Sequence, residues 1–265
     1  MRALFVIGAL LALTPRVPAQ GAPVALHVGD SVTQSDLLGY LFSQPHDGDW
    51  VRYRISFGPA TVEKTIGFGS ELVDGKQTPF VEVRVASGAI ANSPGAAVLG
   101  VGGTNVVKTY VNASGFADLT TRYAVVATVM QVGDSLYRVD ERTHQPPEIA
   151  ANGPLPVFSL LESIPVADLR QGAVTGIAPR DLTVGAATIH ATRITAQFPG
   201  VPAGEVPPAT LVTWQSPDVP LGTVAVRAVV ARRELDVTLE AFGRGDYRPV
   251  ITQALDAVRP LPGAQ

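Results

Sequence analysis

Cysteine is absent from the 265 residues. That excludes disulfides, thiol nucleophiles, thiolate metal sites and lipid attachment through an N-terminal cysteine. Charge is sparse: 16% of residues are charged, and 20 Lys+Arg against 23 Asp+Glu leave a net −3. With 46% hydrophobic residues, the composition is neither that of a disordered chain nor that of a nucleic-acid binder. Aromatics make up 6%, too few and too scattered for a base-stacking platform. His27, His46, His144 and His190 stand far apart. Glu141 and His144 form an isolated pair, and His46-Asp47-Gly48-Asp49 has too few oxygen ligands for a calcium loop. Gly100, Gly102 and Gly103 are followed by no Lys-Ser/Thr, so they make no phosphate loop. No catalytic set, metal site or cofactor is expected.

Long apolar runs are also scarce, and the one present is informative. Arg2 supplies a positive start, Ala3 to Leu13 is apolar, and Thr14-Pro15-Arg16 ends the run. Val17-Pro18-Ala19 then fits the small-residue pattern before a signal-peptidase cut. The run falls short of the roughly 20 residues that cross a bilayer core. Residues 1–19 therefore read as a signal peptide and 20–265 as a single β-rich domain. No second membrane span follows, so a soluble periplasmic or extracellular protein is expected, without a transmembrane anchor after cleavage.

What fills the rest is alternation. Val51, Tyr53, Ile55 and Phe57 alternate with Arg52, Arg54 and Ser56, the period of a half-buried strand. Val81, Val83 and Val85 alternate with Glu82 and Arg84, and Leu235, Val237 and Leu239 with Asp236, Thr238 and Glu240. Val224 to Ala231 reads the same way. Further strands are expected at 25–28, 62–68, 105–112, 122–132, 135–141, 182–198 and 210–215, separated by turns such as Asp74-Gly75 and Gly133-Asp134. Gly185 marks a tight hairpin or bulge. Arg122 to Val132 is apolar on nearly both faces, so it should be covered on both sides. One cover would be a helix; the other would be a second protein layer or an apolar ligand. Helical signals are few: Asp36 to Phe42 behind a Ser35 cap, a turn or two in Phe158 to Arg170, and Tyr247 to Val258. The expected fold is mainly β: a single strongly curved antiparallel sheet of about ten strands, an incomplete barrel, with a few short helices.

Two resemblances enter on specific residues. Gly29-Asp30-Ser31-Val32-Thr33 after Val24 to Val28 is similar to the first block of the GDSL (SGNH) hydrolases, which would make Ser31 a nucleophile. The chain has no Asp-x-x-His, and its last histidine is His190, so the base is lacking. A second copy, Gly133-Asp134-Ser135, falls where a hairpin turn is expected, which reads the tripeptide as turn chemistry.

The second resemblance spans roughly Asp49 to Gly243. Gly48-Asp49-Trp50-Val51-Arg52-Tyr53, then Leu182 to Gly185, Ala191 to Ile194, and Trp214-Gln215-Ser216-Pro217-Asp218-Val219-Pro220-Leu221-Gly222 follow a layout that resembles the DUF3108-like exported bacterial domains. These in turn resemble the LolA/LolB lipoprotein carriers, whose curled incomplete barrel holds acyl chains. The resemblance implies an exported, non-enzymatic protein binding an apolar, lipid-like ligand. Trp50, Tyr53, Met130 and Trp214 are the candidate lining. Two alternatives remain open: a structural or interaction protein of the cell envelope with a protein partner and no small ligand, and an esterase using Ser31.

Overall fold

In the computed structural model the described residues are 25–87, 105–112, 124–132, 134–140, 171–200, 207–230 and 232–260. The expected signal peptide, the expected turns of Phe158 to Arg170, Gly133 and the Glu141–His144 pair lie outside them. Strand β1 is Ser31–Val32, helix α1 Gln34–Gly39, β2 Trp50–Phe57, β3 Ala60–Val73, β4 Lys76–Ser87, β5 Asn105–Asn112, β6 Ala124–Val132 and β7 Ser135–Asp140. The series continues with β8 Gly172–Val184, β9 Ala187–Phe198, β10 Ala209–Gln215, β11 Thr223–Val230 and β12 Arg233–Gly243.

All twelve strands belong to one open antiparallel sheet, in the order β1-β8-β9-β10-β11-β12-β2-β3-β4-β5-β6-β7. Two meanders, β2–β7 and β8–β12, therefore meet at the β12·β2 pair, and β1 reaches across to the far edge. Bulges interrupt the ladders at 174/176, 214/215, 239/241 and 110/111, and each extra residue bends its strand. The C-terminal meander curls enough to bring Cα atoms of β8 and β12 within 8 Å of each other across three intervening strands.

Several elements differ from expectation. Residues 25–28 are not a strand; Gly29-Asp30 makes a turn in which Asp30 accepts from His27 N at 2.7 Å, and β1 begins after it. Helix α1 starts earlier than expected because Thr33, not Ser35, caps it. Thr33 Oγ1 accepts from Asp36 N at 3.1 Å and Asp36 accepts back from Thr33 N at 2.8 Å, a closed capping box. Within Tyr247 to Val258 only Leu255–Ala257 winds, as one 3-10 turn. The Val250 and Ile251 amides are instead taken by a side chain of the sheet, described below, and the Tyr247 amide by Gly48 O. The run 182–198 is two strands folded at Gly185, whose φ of +58° suits glycine, and its first strand reaches back to Gly172. Asp74 and Gly75, both at positive φ, turn the β3–β4 hairpin as expected.

Register sorts the side chains into two faces. The face carrying Val51, Tyr53 and Ile55 of β2 also carries Val226 and Ala228 of β11 and Leu235, Val237 and Leu239 of β12. We call it the inner face. Over β8–β12, β2 and β3 it holds the main core, which includes Leu37 and Leu38 of α1 and Ile194, Ala196 and Leu211, and which reaches Val81 of β4 and Val111 of β5. Gln215, buried on β10, clamps the helix: its side chain accepts from Leu41 N at 2.8 Å and donates to Leu37 O. Gly222 sits at φ +77°, and a Cβ there would lie 2.0 Å from Leu41 O, so the β10–β11 corner closes on the chain leaving α1. Trp214 to Gly222, the segment singled out in the sequence, is that corner.

Candidate functional site

The inner face behaves differently once it passes β3. Cross-strand partners form one row across six strands: Val51, Ile66, Val83, Val107, Met130 and Tyr137. Val51 and Ile66 are fully buried, whereas Val83, Val107, Met130 and Tyr137 are only half-buried. A parallel row runs Phe68, Val81, Thr109, Thr128 and Val139. Again the first two are buried and the last three half-buried. The apolar inner surface thus continues beyond the part that the described residues seal. It is a pleated strip of valines and methionine with hydroxyls between them. By register, Lys64 is the single charged side chain on the inner face of β2–β7 among the described residues; it lies opposite Tyr53 and Val85.

On the outer face of these same strands the chain covers itself. The segment after β12 lies there as a strap. Ile251, Leu255 and Val258 pack with Phe80, Val106, Tyr110, Ala127 and Val129. Two buried charges hold the strap. Glu82 accepts from Tyr247 OH at 2.5 Å, from Val250 N at 2.8 Å and from Ile251 N at 3.0 Å. Lys108 donates to Ile251 O at 3.0 Å and to Glu71 at 2.7 Å, with its ammonium 4.0 Å from the centre of the Phe80 ring. Tyr110 donates to the other Glu71 oxygen. Burial, then the bonded carboxylates, push the Tyr110 and Tyr247 hydroxyls well above the usual phenol range. Gly67 is obligatory, since a Cβ there would fall 2.0 Å from the Tyr247 ring.

The four residues expected to line a ligand site separate. Tyr53 is fully buried in the main core and donates to Thr223 O at 2.9 Å; desolvation raises its hydroxyl above the usual range. Met130 lies on the same face, three strands beyond Ile66 in the row above, where the surface is half-open. Trp50 and Trp214 project from the outer face. Trp50 Nε1 donates to Asp246 at 2.7 Å, and the Arg193 guanidinium lies 5.8 Å from the Trp214 ring. Met130 therefore has Val107 and Tyr137 for cross-strand neighbours, with Val83 one strand further along the row, in place of the other three. Those valines were already visible as an alternating strand; what the sequence did not show was that their face lay beyond the sealed core.

Ser31 starts the two-residue edge strand β1, and its hydroxyl accepts from Gln171 at 3.3 Å. His190 pairs with Asp181 at 2.7 Å on the exposed β8–β9 hairpin, and that carboxylate raises the imidazole's proton affinity. Among the described residues no three His, Asp or Glu side chains cluster as metal ligands, and no helix is long and apolar enough to cross a membrane.

No family model and no curated protein sequence matches the chain. Solved structures with a similar fold include a hypothetical protein, CT021, from Chlamydia trachomatis, at 10% identity and TM-score 0.38, covering 88% of this chain and 98% of that one. Lipoprotein LppX of Mycobacterium tuberculosis aligns at 10% identity and TM-score 0.32, covering 76% and 88%. An exported protein with a YmcC-like fold from Bacteroides fragilis aligns at 9% identity and TM-score 0.34, covering 77% and 99%.

Proposed function

We propose that the protein is an exported, non-enzymatic carrier that holds an apolar, lipid-like ligand against the inner face of β4–β7. The reading takes residues 1–19 as a signal peptide and 20–265 as one domain of the DUF3108-like and LolA/LolB-like kind. One observation carries it: the apolar row that is sealed at Val51 and Ile66 continues, half-covered, through Val83, Val107 and Met130. Covering such a surface gains roughly 25 cal/mol per Å² of apolar area before ordering costs.

The test is native mass spectrometry of the protein purified from an exporting host, followed by solvent extraction and reloading with palmitate. A retained, extractable apolar species, and its loss in Val107→Glu, are the expected results. A ligand-free protein that also takes up no palmitate would overturn the carrier reading. The inner face would then be covered by the chain itself, as in an envelope interaction protein.

A further inference from the structure

We infer that the carried ligand is a single-chain acidic amphiphile, a long hydrocarbon chain ending in a carboxylate, and that Arg259, at the β7 edge of the strip, takes its acidic end. The inference rests on the carrier reading and adds a headgroup and a direction to it. The direction comes from burial. Toward β3 the strip ends in fully buried side chains, Val51, Ile66 and Phe68. Toward β7 it stays half-buried through Val107, Met130 and Tyr137, and β7 is the edge of the sheet. An ionised carboxylate is costly to remove from water. The acidic end of an amphiphile therefore lies at β7, and its chain runs inward toward β3. That path is four interstrand steps, about 19 Å at the usual spacing, the scale of a long-chain fatty acid.

At the β7 edge the strap passes from the outer face to the inner one. Arg259 O accepts from Arg138 N at 2.9 Å, and Pro260 bridges to Arg138, so the end of the strap lies alongside β7. The Arg259 side chain then reaches inner-face residues. Its Nη2 donates to Ser135 Oγ at 3.0 Å and to Tyr137 OH at 3.3 Å. The guanidinium lies 4.8 Å from the centre of the Tyr137 ring, and Tyr137 is the last member of the apolar row that contains Met130. Among the described residues these side-chain contacts are all with neutral groups, and none uses Nε or Nη1. Ring contact and two hydroxyls thus hold an exposed cation at the open end of an apolar strip, with donors left for an anion. A donor held in place in advance loses less freedom when a carboxylate arrives. Nearby cations are placed otherwise. Lys108 and Arg138 hold the strap on the outer face, and Lys64 is buried beside the sealed core and engaged within the protein.

Palmitate and hexadecanol have the same chain and differ at the terminal group. With delipidated protein at low ionic strength, and at a pH where palmitate is ionised, palmitate should bind wild type about threefold to tenfold more tightly. That is the range between an exposed ion pair and a charge-assisted hydrogen bond. Because Arg259 is exposed, the preference should shrink in about 1 M salt, where the screening length is about 3 Å. Arg259→Gln should bring the two probes to equal affinity, and Arg259→Lys should keep most of the difference. A cooperative thermal melt checks that each variant is folded. Equal affinity of wild type for the two probes, or tighter binding of hexadecanol, would overturn the inference while leaving the carrier reading intact, and needs no variant. A preference for palmitate that is untouched by salt, or that survives in Arg259→Gln, would put the acidic end elsewhere and also overturn it. Binding of neither probe would overturn both.

Discussion

The two meanders use their apolar residues in opposite ways. In β8–β12 the inner face is the core: Ile194, Leu211, Val226 and Val237 pack together under Leu37 and Leu38 of α1. In β4–β7 the tightly sealed side is the outer one, where Ile251, Leu255 and Val258 of the strap cover Phe80, Tyr110 and Val129. Their inner face joins the main core at Val81 and Val111 and is left half-buried at Val83, Val107 and Met130. Both meanders obey the same period-two rule. What separates them is the covering element: a capped helix clamped by Gln215 on one side, and an irregular strap held by Glu82 and Lys108 on the other. An apolar face is thus made into a core or left as a surface by a segment far away in sequence.

The largest effect that would break this contrast is at Glu82. Glu82→Ala removes the acceptor for Tyr247 OH and the Val250 and Ile251 amides, while Lys108 keeps its bonds to Glu71 and Ile251 O. We expect a loss of about 3–5 kcal/mol, since three donors lose a charged acceptor at about 1–3 kcal/mol each, read as a fall in the urea midpoint. A loss below about 1 kcal/mol would mean the strap is a loose tail and the outer core is incidental.

A paired substitution sharpens the comparison with a smaller difference. Leu37→Ala empties a fully buried site under α1 and should cost about 2–5 kcal/mol. Val83→Ala, on the half-open strip, should cost about 1 kcal/mol or less while weakening palmitate binding. Equal destabilisation at the two positions would show that the inner face of β4–β7 is as tightly filled as that of β8–β12.

The fold was legible in the sequence to the extent that it depends on local alternation. Val51 to Phe57, Val81 to Val85 and Leu235 to Leu239 each declare a strand and its faces, and Asp74-Gly75 declares its hairpin. The two-sided apolar pattern of β6 correctly pointed to cover on its outer face, at Ala127 and Val129. The cover there is a strap, because the Tyr247 amide bonds Gly48 O and the Val250 and Ile251 amides bond Glu82 instead of making helical bonds. The strand Gly172–Val184 was missed at its start, since Gly172, Gly176 and Pro179 are weak strand formers, the first held by pairing with Val32 of β1 and the others by pairing with β9. The candidate site was the least legible part. Trp50 and Trp214 drew attention by size, yet parity places both on the outer face; Val83 and Val107 are unremarkable residues that register alone aligns with Met130.

Met1 and Met130 are the only two methionines, so a ¹³C-methyl-methionine spectrum of chain lacking residues 1–19 contains one signal, from the middle of the half-open row. Titrating delipidated protein with palmitate should shift that signal progressively to a saturated, bound position. A Met130 methyl that stays fixed while palmitate binds, or while none binds at all, would contradict the claim that this face is where the ligand lies.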